Sequence, residues 1–180
     1  MKNNILFVFL IIISGCNTNV EIPKTKGYPK YTFPQKIYTK TEIACPFSFE
    51  YPNYSIIEKL NKCNFNLVFP EFNAKIYFTY IELENNLQTH VNQTKEYIKT
   101  HQIKLENVLE KEYEETNKTG VLFLLKGNIA TSRHFFLTDK KKHFIRGALY
   151  FEEEINDSIK PVESFLTYDI INIIETLKFN

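Results

Sequence analysis

The sequence has few of the residues that metal and redox sites require. Only three of its 180 residues are cysteine and four are histidine. The cysteines form no Cys-x-x-Cys pair, and the histidines lack the spacing of zinc ligands. A Gly-x-Ser-x-Gly elbow, a Walker loop and a His-Glu-x-x-His motif are also missing from the sequence. The sequence therefore gives no support for redox or zinc chemistry, and we expect no bound cofactor or metal.

The sequence also lacks an excess of positive or negative charge. The chain has 22 lysine and arginine residues against 21 aspartate and glutamate residues, and the two signs are interspersed. A protein that binds nucleic acid normally concentrates its basic residues in a footprint. The short lysine run at 140–142 lies between two apolar segments, and we interpret it as a solvated turn rather than a binding patch. No nucleic-acid partner is expected.

Long apolar runs are absent, but a short one lies near the N-terminus. An uncharged apolar run over 5–13 follows Lys2, and its length of about nine residues is well short of the roughly 20 that cross a bilayer. This is the shape of a removable export signal. The sequence Ile-Ser-Gly-Cys at 13–16 resembles the bacterial lipobox. We predict a signal peptide over 1–15 and lipidation of Cys16, which would anchor the chain to a membrane; an ordinary secretory signal is the alternative.

Two cysteines remain, Cys45 and Cys63. In an exported protein an even remainder indicates one disulfide. A bridge between these positions would stabilise the fold by about 3 kcal/mol in the chain-entropy model. A pair of buried free thiols is the alternative.

Residues 16–40 have the composition of a tether. Three prolines disfavour helix, and five lysines keep the segment solvated. Tyr28, Tyr31 and Phe33 are unusual in a linker, because aromatic residues on an extended segment can dock on a surface. That surface belongs either to the protein's own domain or to a partner, and the sequence leaves both readings open.

The hydrophobic pattern of residues 41–180 predicts a single α+β domain. Strands are predicted from alternating or apolar segments over 47–51, 64–69, 74–82, 121–125, 133–138 and 143–151. Apolar residues at helical spacing predict helices over 87–104 and 161–177. Because the strands alternate and their connections are short, we expect an antiparallel sheet of about six strands flanked by helices.

Several segments, taken together, resemble one protein family. They are Lys-Gly-Tyr at 26–28, Cys-Pro-Phe-Ser-Phe-Glu-Tyr-Pro at 45–52, Phe-Phe-Leu-Thr-Asp at 135–139, His-Phe-Ile-Arg-Gly-Ala-Leu-Tyr-Phe at 143–151, Asp-Ile-Ile at 169–171 and Ile-Glu-Thr-Leu-Lys at 174–178. In this order and at this spacing they are similar to the GldD gliding-motility lipoproteins of Bacteroidetes. The Phe-x-Phe-x-Tyr-Pro opening and the closing helix also look like the PsbP/Mog1-like sandwich, a fold used mainly by adaptors.

The resemblance to GldD implies a part in gliding motility and in the associated type IX secretion machinery, with no enzymatic activity. The partners would be other envelope proteins of that machinery. Asn17 follows the predicted lipidation site and no acidic cluster comes after it, which favours a periplasm-facing position in the cell envelope. The residues do not distinguish the inner from the outer membrane.

The candidate partner surface lies on one face of the strand over 143–151. Phe144, Arg146 and Tyr150 share that face by parity, and Arg133 extends it if it lies on the same side. Aromatic residues beside an arginine are the mixture that interface hot spots favour. Ordinary packing with a surface arginine is the alternative.

Two other classes of function compete with an adaptor. A periplasmic lipoprotein that binds a small ligand is one, and a hydrolase is the other. The polar residues near one hairpin that favour an enzyme are Ser132, Arg133, His134, Asp139, His143 and Arg146. His143 and Arg146 have opposite parity and so point to opposite faces of the strand, which argues against a catalytic triad.

One short motif predicts a modification. Asp-Ser-Ile at 157–159 resembles the acceptor of the general O-glycosylation system of Bacteroidetes. Ser158 is therefore a candidate glycan site, although a three-residue match also arises by chance.

Overall fold

The computed structural model describes residues 30–100, 105–127, 129–152 and 155–180. The predicted signal peptide, Cys16 and the first part of the tether lie outside the described residues. The strands are β1 (Tyr38–Lys40), β2 (Phe47–Ser48), β3 (Glu50–Pro52), β4 (Ile56–Lys59), β5 (Phe65–Phe69), β6 (Ala74–Glu82), β7 (Leu105–Glu115), β8 (Lys118–Gly127), β9 (Thr131–Thr138), β10 (His143–Phe151) and β11 (Lys178–Phe179); the helices are α1 (Leu87–Lys99) and α2 (Lys160–Thr176). Within the described residues, neither helix is long and apolar enough to span a membrane.

Seven strands form one antiparallel sheet in the order β4-β5-β6-β10-β9-β8-β7. Two small sheets pair β1 with β3 and β2 with β11. The predicted α+β class, an antiparallel sheet with helices, is confirmed. The main sheet contains β4 and β7, which the sequence did not predict, while the PsbP/Mog1-like sandwich stays a prediction.

The two faces of the main sheet are covered differently. On β10, Ile145 and Leu149 point toward α2, whereas Phe144 lies under α1. The larger core cluster contains the buried stripe of α2 (Val162, Leu166, Ile170, Ile173 and Ile174) together with side chains from five strands of the sheet. The smaller cluster joins Ile98 of α1 to Phe123, Phe136 and Phe144. The sheet therefore lies between two helices, and α1 covers much less of it than α2 does.

The segment predicted as one strand over 47–51 is divided between two small sheets. Its first part pairs with β11 and its second part with β1. Phe49, 1% exposed, stacks on Phe65 and Phe78 with ring centroids 5.6 Å apart in both pairs. The alternating aromatics are thus buried on the α2 side of the main sheet, as a cover over it and not as a strand in it.

The structure contains the predicted disulfide between Cys45 and Cys63. The two Cα atoms are 5.7 Å apart. The bridge ties the segment before β2 to the turn before β5. It therefore fixes the aromatic cover to the main sheet.

Lys118, at the start of β8, caps α2. Its side chain is 4% exposed, and Nζ donates to the carbonyls of Ile174 (2.7 Å), Glu175 (3.1 Å) and Leu177 (3.1 Å). The last carbonyls of a helix carry partial negative charge and lack partners within the helix. One buried ammonium group therefore satisfies the end of α2 and attaches it to the sheet.

Residues 30–40, predicted to form the end of the tether, lie on the domain. Asp169 of α2 is fully buried and accepts hydrogen bonds from Lys36 Nζ (2.6 Å), Tyr38 Oη (2.8 Å) and Tyr54 Oη (2.6 Å). Phe33 stacks on Phe165 of α2, with ring centroids 4.5 Å apart. Phe33 therefore packs on the protein's own domain, which is one of the two alternatives that the sequence left open for the tether aromatics. Tyr28 lies outside the described residues.

The three side chains that donate to Asp169 have shifted pKa values. Burial raises the pKa of Tyr38 and Tyr54, and their hydrogen bonds to the Asp169 carboxylate add to this rise. Burial also lowers the pKa of Lys36, although the hydrogen bond to Asp169 opposes the change. We call Lys36, Tyr38, Tyr54 and Asp169 the tether clasp.

Replacing Lys36 with methionine tests the tether clasp. The Lys36→Met variant leaves a buried carboxylate without its cation, and removal of one partner from such a pair destabilises a fold by about 3 kcal/mol. Lys40→Met removes an exposed lysine from the same segment and should change the free energy of unfolding by less than about 0.5 kcal/mol. Denaturant unfolding of both variants measures the difference, and equal losses would contradict the structural role given to Lys36.

The alkaline stability of a Tyr54→Phe variant tests the raised pKa of this tyrosine. A group whose pKa is raised by folding contributes stability that is complete below the unfolded value, here 10.0, and is lost as pH rises beyond it. We therefore expect Tyr54→Phe to cost about 2 kcal/mol at pH 8 and progressively less above pH 10. Tyr168→Phe is the control, because Tyr168 lies next to Asp169 on α2 but is 65% exposed. A cost for Tyr54→Phe that stays constant up to pH 12 would count against this assignment.

Candidate functional site

A cleft of about 440 Å³ lies between α1 and the part of the sheet that α1 leaves uncovered. Its walls come from β6, β9, β10 and α1. The lining residues are Tyr77, Thr79, Thr94, Tyr97, His134, Arg146, Gly147, Ala148 and Tyr150. This is the face of β10 on which the sequence placed Arg146 and Tyr150.

The floor of the cleft follows from the register of two strands. Arg146 of β10 pairs with Thr79 of β6, and Ala148 pairs with Tyr77. Side chains that pair across antiparallel strands lie on the same face of the sheet. Because Ala148 and Thr79 are small, they leave space between the larger side chains that stand around them.

Arg146 is held by stacking. Its guanidinium carbon lies 4.5 Å from the centroid of the Tyr97 ring, which α1 supplies. Within the described parts of the chain, Arg146 forms no ion pair, and no aspartate or glutamate lines the cleft. The cleft therefore has a positioned cation with no counter-ion among the described residues.

Tyrosines form the sides of the cleft. The rings of Tyr77 and Tyr150 meet edge to face with centroids 5.3 Å apart. Tyr77 is 45% exposed and Tyr97 is 43% exposed, so their rings are open to a ligand. Burial raises the pKa of Tyr150, and Tyr77 acts in the same direction while Thr131 and Arg146 oppose it. Tyr150 therefore stays protonated and keeps its hydroxyl at neutral pH.

The structure separates the four residues of the predicted partner surface. Arg146 and Tyr150 line the cleft. Phe144 is fully buried, 5.4 Å from the Phe136 ring, so it cannot contact a partner. Its parity was read correctly from the sequence, but the sequence did not show that α1 covers this position.

Arg133 lies on the opposite face, and its place in the predicted partner surface is wrong. It pairs with Leu149 across the strands, which points its side chain toward α2. There it donates to Glu163 (2.8 Å) and to Thr167 Oγ1 (3.0 Å). Burial lowers the pKa of Arg133, and Glu163 opposes this shift. Arg133 therefore has a structural role between β9 and α2.

The residues that favoured an enzyme do not all meet in one place, although His134 and Arg146 both line the cleft. His143 lies on the α2 face, where its Nδ1 is 2.7 Å from Tyr80 Oη and its ring stacks on Phe179. Arg146 lies on the other face, as parity predicts. Ser132 is buried, and His134 Nε2 lies 2.9 Å from Thr131 Oγ1.

Asp139 has a structural task in the turn between β9 and β10. Its Oδ1 accepts backbone N–H groups from Lys141 (2.9 Å), Lys142 (2.9 Å) and His143 (2.8 Å). Burial acts to raise the pKa of Asp139, but these hydrogen bonds outweigh it and lower the pKa. Within the described residues, no group of three histidine, cysteine or acidic side chains could hold a metal ion.

Ser158 lies in the turn just before α2. It is half-buried, and its backbone N–H donates to Asn156 Oδ1 (2.9 Å). The neighbouring Asp157 forms an exposed ion pair with Lys160 at 2.6 Å. Glycosylation of Ser158 stays a prediction.

The described residues thus form an α+β domain that carries an open, arginine-bearing cleft. A sequence model of a family described as gliding motility lipoprotein GldD matches residues 18–179, and the chain belongs to that family. No curated protein matches the chain. Membership confirms the resemblance found in the sequence and gives the protein a membrane-anchored location in the cell envelope.

The sequence did not indicate Tyr77 and Tyr97 as site residues. They lie on β6 and α1, far along the chain from Arg146, and only the packing of α1 brings Tyr97 to the guanidinium. An aromatic residue at a position outside the buried pattern of its helix or strand is the signal that would have found them. Tyr97 lies at a position of α1 that does not belong to its apolar stripe.

Alanine substitutions should distinguish the two arginines. Arg133→Ala leaves Glu163, whose side chain is 13% exposed, without its partner, and we expect a loss of about 3 kcal/mol in the free energy of unfolding. Arg146→Ala removes only a stacking contact worth about 0.5–1 kcal/mol. Denaturant unfolding compares the two, and a loss for Arg146→Ala as large as that for Arg133→Ala would argue that Arg146 is structural.

Proposed function

We propose that this lipoprotein is a non-catalytic adaptor of the gliding apparatus and its type IX secretion machinery. It faces the periplasm, is held to the membrane by lipid on Cys16, and binds an envelope protein through the cleft around Arg146. The observation that carries this proposal is an arginine fixed against Tyr97 in an open cleft with two further tyrosines. Tyrosine and arginine are the residues in which interface hot spots are enriched.

The non-catalytic part of the proposal is supported by what the candidate catalytic residues do. Asp139 holds a turn, Arg133 holds α2, and His143 is stacked in the core on the far side of the sheet from Arg146. Nucleophilic catalysis needs a nucleophile, a base and an orienting group within hydrogen-bond reach of one another. Arg133 and His143 both lie on the α2 face, but Arg133 pairs with Leu149 near the other end of β10 from His143. The Asp139 carboxylate is engaged by backbone N–H groups of the hairpin turn.

The anchor leaves the domain free to reach a partner near the membrane. The described chain begins at Lys30, and a fully extended segment from Cys16 to this residue would span at most roughly 50 Å. The tether clasp attaches the chain to α2, on the face of the sheet that does not carry the cleft. Membrane attachment and partner binding therefore use different faces of the domain.

A small-ligand-binding lipoprotein is the second candidate function. The volume of about 440 Å³ falls within the range of small-molecule sites. Such sites usually enclose most of the ligand, whereas Tyr77 and Tyr97 are nearly half exposed. This exposure favours a protein partner.

A membrane pull-down tests the adaptor function. Tagged wild type, Arg146→Glu and Lys178→Glu are each recovered from membranes, and the envelope proteins that copurify are quantified by mass spectrometry. We expect gliding or secretion components with wild type and with Lys178→Glu, and at least about tenfold less with Arg146→Glu, as for loss of a hot-spot residue.

Lys178→Glu is the matched control because it reverses an exposed charge on β11. Accumulation of each variant at wild-type level excludes a folding defect. Recovery of no envelope protein above an unrelated lipoprotein would refute the adaptor function. Equal recovery with all three forms would refute the role of the cleft.

A further inference from the structure

Within the described residues, the cleft has a positive group without a carboxylate partner. The other arginine, Arg133, pairs with Glu163, and the half-buried Lys36 pairs with Asp169. In the same part of the chain, Arg146 contacts the face of the Tyr97 ring and forms no ion pair. Its N–H donors are therefore left to solvent or to a ligand.

We infer that the cleft recognises a carboxylate, supplied by an acidic side chain of a protein segment. This inference rests on the proposed adaptor function and names the chemistry of the partner. A guanidinium group is planar and presents its donors as a fork that matches the two oxygens of a carboxylate. Stacking on Tyr97 restricts the side chain before the ligand arrives, so less conformational entropy is lost on binding.

The charges around the cleft fit an anion. Among the described residues its lining contains no acidic side chain, so none of them repels an incoming carboxylate. Glu58 lies on the same face of the sheet and is already engaged by Lys75 Nζ (3.6 Å) and Asn66 Nδ2 (2.8 Å). Neutral hydroxyls of Thr79 and Tyr150 stand beside Arg146 as further hydrogen-bonding groups.

The surface beyond the cleft favours a protein segment over an isolated acid. Strand register places Ile56 on the same face as Tyr77, through Val68 and Lys75. Ile56 is 58% exposed and Tyr77 is 45% exposed. The uncovered part of the sheet thus continues beyond the cleft over β4, β5 and β6, where exposed apolar side chains lie beside the Glu58–Lys75 ion pair. A segment that places an acidic side chain on Arg146 can pack its neighbouring apolar side chains on Tyr77 and Ile56.

Selection from a random peptide library tests the inference without knowledge of the partner. The full-length protein, purified in detergent, is used to select binders from phage-displayed random peptides. Arg146→Gln and Lys178→Gln proteins are selected in parallel. We expect glutamate or aspartate to be enriched next to apolar residues with wild type and with Lys178→Gln, and this enrichment to vanish with Arg146→Gln.

Binding constants then identify the carboxylate. For the best peptide, changing its acidic residue to the matching amide should weaken binding to wild type by roughly 10-fold or more, and should have little effect on binding to Arg146→Gln. Arg146→Lys, which keeps the charge but loses the fork, should bind with intermediate affinity. Additive effects of the two changes would overturn the assignment, because a shared contact requires coupling.

The remaining outcomes separate this inference from the adaptor function. If peptides are selected without acidic enrichment while the pull-down still depends on Arg146, the adaptor function stands and carboxylate recognition is refuted. If acidic peptides are selected but no envelope protein is recovered, carboxylate recognition stands and the adaptor function fails. Binding of an oligogalacturonate in place of any acidic peptide would refute recognition of a protein segment.

Discussion

The buried carboxylate of Asp169 is the constraint on which the rest of the structure depends. A carboxylate with no exposure to water must be paired and hydrogen-bonded, and here Lys36, Tyr38 and Tyr54 supply the three donors. These donors come from the N-terminal segment and from the turn after β3. Satisfying one buried charge therefore fixes the entry of the chain onto α2. The aromatic cover around Phe49 is held at its other end by the disulfide.

The parts of the fold that the sequence predicts are those in which burial repeats regularly. Along β6 and β10 fully buried residues alternate with more exposed ones, and α2 has a continuous apolar stripe. β7 was missed because it is an edge strand with mostly exposed side chains and many glutamates. The segment over 47–51 alternates as a strand of the main sheet would, and sequence alone cannot show that its hydrogen bonds go to β1 and β11.

The candidate site was predictable only in part, for a related reason. Parity along one strand correctly put Arg146 and Tyr150 on one face and His143 on the other. Parity cannot relate different strands, so it could not show that Arg133 lies on the opposite side from Arg146. Nor can it show how far a helix extends over a sheet: α1 buries Phe144 but stops short of Tyr150. The cleft exists because a helix of 13 residues covers only part of a seven-stranded sheet.

The position of the tether clasp has a mechanical consequence. A motility apparatus bears load, and a force between the membrane anchor and the domain would reach Lys36 before it reaches the short ladder of β1 and β3. The ion pair with Asp169 would carry that force into α2, whose far end is attached to the sheet by Lys118. The cleft lies on the other side of the sheet, outside this load path. Tension on the anchor would thus be borne without distorting the cleft.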